Sequence, residues 1–154
     1  PGAGLWRRSV YTFVKRQAPP PTLLLFDGPT REKCTLARPR TNTPLQALVV
    51  LNDTTYAEAA RHLAADAIAN EPNDVARGLF RRVLSREPTA EERAAVESLY
   101  SEQLRHFDKS HEDALAVLSV GESPATVCAA PSTAAAWAIV AHTLLNLDEA
   151  VNRR

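Results

Sequence analysis

The chain has 154 residues, of which 45% are hydrophobic and 23% charged, and its formal net charge is zero. This composition excludes a disordered chain and indicates a single globular domain that is large enough to bury a hydrophobic core. The sequence contains no apolar run of about twenty residues, so we expect no membrane-spanning helix.

The charged residues are distributed unevenly along the chain. Residues 1–43 contain eight basic and two acidic residues and carry a charge of +6, so the remainder carries −6. Because opposite charges attract, we expect residues 1–43 to form an extended, basic, proline-rich arm that packs on a helical body of residues 44–154. No zinc-finger, recognition-helix or aromatic RNA-binding pattern accompanies the basic residues, and we therefore expect no nucleic-acid partner.

The arm shows little regular periodicity. Residues 5–17 mix β-branched and aromatic residues with basic ones, so a strand, an extended segment and a short helix all remain open. The three prolines at 19–21 favour polyproline II geometry. The apolar run at 23–26 is followed by a turn sequence at 27–29, and we expect this run to fill a groove on the helical body.

The junction between the arm and the body is the most informative part of the sequence. Thr43 is a good N-cap, Pro44 suits the first helical position, and Gln46 is placed to complete a capping box. A helix is therefore predicted to begin at Pro44. Arg38 and Arg40 lie two residues apart on the preceding extended segment, so they point to the same side. Their guanidinium groups could hold carboxylates of this domain or another anion.

We interpret this basic region as the candidate binding site. An asparagine amide follows the two junction arginines, and a second basic pair lies near the N-terminus. The candidate anion or interdomain site comprises Arg7, Arg8, Arg38, Arg40 and Asn42. If the arginines instead pair within the domain, we expect acidic residues at predicted helix ends to be their partners, namely Asp53, Asp148 and Glu149.

Apolar residues recur at helical spacing throughout residues 44–154. They predict an all-α fold, a bundle of five or six helices with the extended arm at its N-terminus. One of these helices, over residues 109–120, is expected to be short. The predicted helix caps are Asp53, either Asn73 or Asp74, Thr89 with Glu92, and Ser132.

Several polar residues interrupt the apolar pattern at the predicted helix ends. Such side chains commonly form hydrogen bonds that cap or terminate helices, so we assign them a structural role. The predicted structural polar residues are Thr43, Gln46, Asn52, Asp53, Asn146, Asp148 and Glu149.

The sequence contains no pattern that predicts catalysis or metal binding in this domain. There is no phosphate-binding loop, nucleophile elbow or zinc-protease spacing, and the four histidines are scattered. We therefore predict no catalytic residue, no metal ligand and no cofactor here. Cys34 and Cys128 lie far apart and lack metal or redox spacing, so a disulfide and two separate thiols both remain open.

Six short blocks occur in order along almost the whole chain. They are RRSVY at 7–11, PPP at 19–21, FDGP at 26–29, RTNTPLQAL at 40–48, LND at 51–53 and LLNLDE at 144–149. Together they resemble the C-terminal domain of unknown function found in large planctomycete proteins that also carry a cytochrome-c-like domain. The resemblance implies an exported protein, periplasmic or at the cell surface, whose haem is bound by a separate domain.

Two functions are compatible with these features. The first is a non-catalytic structural or interaction module whose partners are neighbouring domains of the same longer chain, or an anionic surface polysaccharide. The second is part of an interdomain active site, or of an electron-transfer or polysaccharide-processing assembly, completed by N-terminal domains. Arginines that are paired and buried would favour the first, whereas arginines that converge in an open cleft would favour the second.

Overall fold

The described part of the chain is entirely helical. The computed structural model describes residues 9–15, 18–29, 34, 36–37, 39, 41–124 and 129–152. Within these ranges there are eight α-helices and one 3₁₀ turn, and no strand. The predicted all-α class is confirmed, and a strand in the part of 5–17 that is described is excluded, because Ser9–Tyr11 forms the 3₁₀ turn.

The chain divides into two compact units, Pro1–Val49 and Val50–Arg154. The division falls within the second α-helix.

The first unit contains α1, Pro21–Leu25, and most of α2, Pro44–Asn52. Pro20, the N-cap of α1, has dihedral angles close to the polyproline II geometry that we predicted, with φ −55° and ψ 130°. Pro21 instead occupies the first turn of α1, where proline's missing N–H costs nothing. After α1, Asp27 has a positive φ of 55°, and the Gly28 N–H donates to the Leu23 carbonyl at 2.6 Å. A Cβ at Gly28 would collide with that carbonyl, so this close turn requires glycine.

The second unit begins at the end of α2 and contains six further helices. Three of the predicted caps are confirmed, since the side chains of Asp53, Asp74 and Thr89 each accept a hydrogen bond from a backbone N–H in the first turn of the following helix. The helices are α3 (Thr54–Asn70), α4 (Val75–Val83), α5 (Ala90–Lys109), α6 (His111–Leu118), α7 (Pro131–Leu145) and α8 (Asp148–Val151).

Helix α7 lies at the centre of the second unit and contacts α3, α4, α5, α6 and α8. Its sequence is rich in alanine, whose small side chains allow neighbouring helices to approach closely. Eight of its residues are buried, and Trp137 is the largest of them. The buried residues are Ala134, Ala135, Ala136, Trp137, Ala138, Val140, Ala141 and Leu144.

Two details of the predicted bundle differ from the structure. The predicted N-cap Ser132 is wrong, because α7 begins at Pro131, so Ser132 already lies in its first turn, and the N-cap, Ala130, makes no side-chain hydrogen bond. The described residues from 44 onward form seven helices instead of five or six, because α8 spans only four residues and is too short to show helical periodicity. The eighth helix, α1, lies in the predicted arm and is also short. None of the described helices has the length and apolarity needed to span a membrane.

Candidate functional site

The predicted arm-to-helix junction is held by a buried glutamine. Gln46 is 2% exposed and forms the predicted capping box with Thr43, each accepting from the backbone N–H of the other, at 2.9 and 3.3 Å. The Gln46 amide also donates to the Leu25 carbonyl at 2.8 Å and to the Thr41 hydroxyl at 2.9 Å. Thr41 in turn donates to Asp27 through both its hydroxyl and its backbone N–H. Gln46 therefore connects α1, the segment before α2 and the first turn of α2.

The predicted anion site lies mostly outside the described part of the chain. Arg7, Arg8, Arg38 and Arg40 lie outside the described residues, and so does Cys128. Asn42 is described and is exposed. Cys34 is exposed and forms no disulfide. The anion site therefore stays a prediction from the sequence.

The other polar residues that we assigned to helix ends lie at separate places in the structure. Asn52 is the last residue of α2, Asp53 caps α3, and Asn146 follows the last residue of α7. Asp148 begins α8 and accepts a hydrogen bond from the Asn152 amide at 2.8 Å. Glu149 belongs to α8 as well, but its carboxylate forms an ion pair with a residue far away in the sequence.

Arg86 is the partner of Glu149 and joins three parts of the second unit. Its guanidinium forms paired hydrogen bonds with Glu149, at 2.8 and 2.7 Å, and with Glu92, at 2.7 and 2.6 Å. The remaining N–H donates to the Glu87 carbonyl at 3.1 Å. All five N–H groups of Arg86 are thus used, which lysine could not reproduce.

This arrangement changes the acidity of Glu92. Hydrogen bonds from Arg86, followed by the backbone N–H of Thr89, lower the pKa of Glu92 to about 2. The same carboxylates raise the pKa of Arg86, so the guanidinium remains charged. Arg86 also lies over the Phe80 ring, with 5.5 Å between its guanidinium carbon and the ring centroid. The described geometry makes Arg86 a structural hub that connects the start of α5 to α8.

A second polar cluster is buried in the middle of α3. Glu58 and Arg61 are each 4% exposed and lie on successive turns of the helix. Arg61 donates to the carbonyls of Leu118 and Ser123, at 3.0 and 2.9 Å, and to the Ser123 hydroxyl at 2.8 Å. Its contact with Glu58 is longer, at 3.5 Å. Arg61 therefore binds the end of α6 and the loop after it more closely than it binds its neighbouring carboxylate.

Glu58, which carries the opposite charge, also attaches the loop after α6 to α3. Its two carboxylate oxygens accept the backbone N–H groups of Ser123, at 2.7 Å, and Glu122, at 3.2 Å. Burial favours the neutral acid, but the hydrogen bonds from Ser123 and Glu122 and the charge of Arg61 outweigh it, and the pKa of Glu58 is lowered. We refer to Glu58, Arg61 and Ser123 as the α3 clasp.

A glycine and a histidine border the clasp. Gly121 has a φ of +103°, and a Cβ at this position would overlap the Glu58 carboxyl group. His62 Nε2 lies 2.6 Å from the Ser123 hydroxyl oxygen. A serine and a histidine at hydrogen-bond distance could form a nucleophile and a base, but this hydroxyl also accepts from Arg61 and lies in the loop that the clasp holds. The arrangement therefore supports attachment of the loop.

Comparison with known protein families identifies the family of this chain. Residues 1–100 match the family model PSD1, described as a protein of unknown function (DUF1553). The chain belongs to the PSD1 family. No curated protein and no solved structure shows a significant match to it.

The residues matched by the PSD1 family model include only part of each polar cluster. Gln46, Glu58, Arg61, Arg86 and Glu92 all lie within the matched residues. Ser123 of the α3 clasp, Glu149 and the central helix α7 lie beyond them. The PSD1 match thus contains one side of both the clasp and the Arg86 hub, and the C-terminal third of the chain supplies the other side.

The α3 clasp was not predicted from the sequence. Its only sequence signal is the placement of Glu58 and Arg61, which are three residues apart on a helix whose buried face is formed by alanines such as Ala60 and Ala64. Charged residues beside small apolar ones on a core face indicate a buried ion pair. Their partner loop, after α6, offered no such signal, because it contributes mainly backbone atoms.

Proposed function

We propose that this PSD1-family chain is a non-catalytic structural or interaction module of a longer exported protein. Its partner would be a neighbouring domain of the same protein, and its basic N-terminal residues would contribute contacts to that domain or to an anionic surface polysaccharide. The observation that carries this proposal is the distribution of exposed apolar side chains.

Large apolar side chains that face solvent are concentrated in the N-terminal third of the chain. Of the ten strongly exposed large hydrophobic residues in the described ranges, eight lie between residues 10 and 51. Tyr11 and Phe13 are 72% and 79% exposed. The eight residues are Val10, Tyr11, Phe13, Leu24, Leu36, Leu45, Leu48 and Leu51.

Such a concentration favours a contact with another protein surface. Single exposed apolar residues are common, whereas many exposed apolar residues within one segment are typical of an interaction surface. Binding a partner there is favourable because it removes apolar surface from contact with water. Aromatic residues contribute most to interfaces of this kind. The basic charge of residues 1–43 would add attraction to an acidic or anionic partner.

The resemblance to planctomycete proteins with cytochrome-c-like domains suggests the wider context. In that context the protein would be exported, periplasmic or at the cell surface, and haem would be bound by a separate domain. We propose that this chain binds no haem itself. A haem absorbance band that copurifies in stoichiometric amount with the 154-residue chain would contradict this part of the proposal.

The interaction can be tested with a matched pair of variants. The remaining domains of the parent protein are produced separately and their binding to this chain is measured by calorimetry. The double variant Tyr11→Ser/Phe13→Ser should weaken binding at least about tenfold, because it removes two aromatic contacts. Leu115→Gln, which changes a residue that is 50% exposed in α6, is the control and should bind as the unmodified chain does.

Two results would contradict the interaction module. The first is that the unmodified chain binds none of the remaining domains. The second is that the double variant binds as tightly as the Leu115→Gln control.

A further inference from the structure

We draw no further inference here: the strongest candidate, the apolar face of α2 formed by the exposed side chains of Leu45, Leu48 and Leu51, belongs to the surface already proposed to contact a partner, and nothing in the structure shows which kind of molecule covers it.

Discussion

The backbone N–H of Ser123 donates a 2.7 Å hydrogen bond to Glu58, a residue 65 positions earlier in the chain. This bond joins the loop after α6 to the middle of α3. Arg61 holds the same loop through the carbonyl and hydroxyl of Ser123. The loop is therefore attached by two side chains of opposite charge, each of which forms a hydrogen bond with its backbone.

Gly121→Ala should destabilise the protein by about 1–3 kcal/mol. The φ of +103° is unfavourable for alanine, and the added Cβ would overlap the Glu58 carboxyl group. Chemical denaturation followed by circular dichroism measures the effect. Glu122→Ala is the control, because Glu122 is exposed and contributes its backbone N–H, which alanine keeps. Equal stability of the two variants would show that the close approach of Gly121 to Glu58 is not required.

Arg61→Met should lower the free energy of unfolding by about 3–5 kcal/mol, because it leaves a buried carboxylate without its compensating charge. It also removes the donors to Leu118 and Ser123. The double variant Glu58→Gln/Arg61→Met should recover part of this loss, since no charge then stays buried. The single variant Glu58→Gln is measured as well. If the loss of stability in the double variant equals the sum of the losses in the two single variants, the two charges do not interact.

Stability in acid should depend on Glu92. The pKa of Glu92 is lowered from 4.5 to about 2 in the folded protein. A lowered pKa means that the carboxylate stabilises the folded state above pH 4.5, and that this contribution is lost as the pH falls from about 4.5 to about 2. The melting temperature should therefore fall less steeply over this window in Glu92→Gln than in the unmodified protein.

The neighbouring glutamate provides the control for this pH dependence. Glu91→Gln changes an exposed carboxylate in the same first turn of α5. Its acid profile should follow the unmodified protein. If the Glu91→Gln and Glu92→Gln profiles have the same slope between pH 4.5 and 2, the pairing of Glu92 with Arg86 does not produce the shift.

Gln46→Leu should destabilise the junction by about 2–3 kcal/mol, although leucine has a similar volume. The substitution leaves the Leu25 carbonyl and the Thr43 N–H without their partner at a site that is 2% exposed. Leu45→Ala, at the exposed neighbouring position, is the comparison and should cost well under about 1 kcal/mol. Hydrogen exchange at the start of α2 can localise the effect, and unchanged protection in Gln46→Leu would refute the role of the glutamine.

The sequence alone determined the ends of several helices. The start of α2 at Pro44, the caps Asp53 and Thr89, and the capping boxes of Gln46 and Glu92 were predicted correctly. Asp74 is the one that caps α4 of the two residues, Asn73 and Asp74, that the sequence left open. Capping depends on residues within about four positions of one another, so its physical cause is visible in a short stretch of sequence. The same local reasoning failed for Ser132, because Pro131 competes for the same helix start.

Only the tertiary structure decided which polar side chains are buried and what they bind. The sequence indicated that Gln46 caps a helix, but its bond to Leu25 depends on the path of the chain 21 residues earlier. Glu58 and Arg61 lie beside alanines on the core-facing side of a helix, but the sequence does not show which segment covers them. They are buried because the loop around Ser123 packs on α3, and that packing is set by contacts among helices far apart in sequence, which no local pattern encodes.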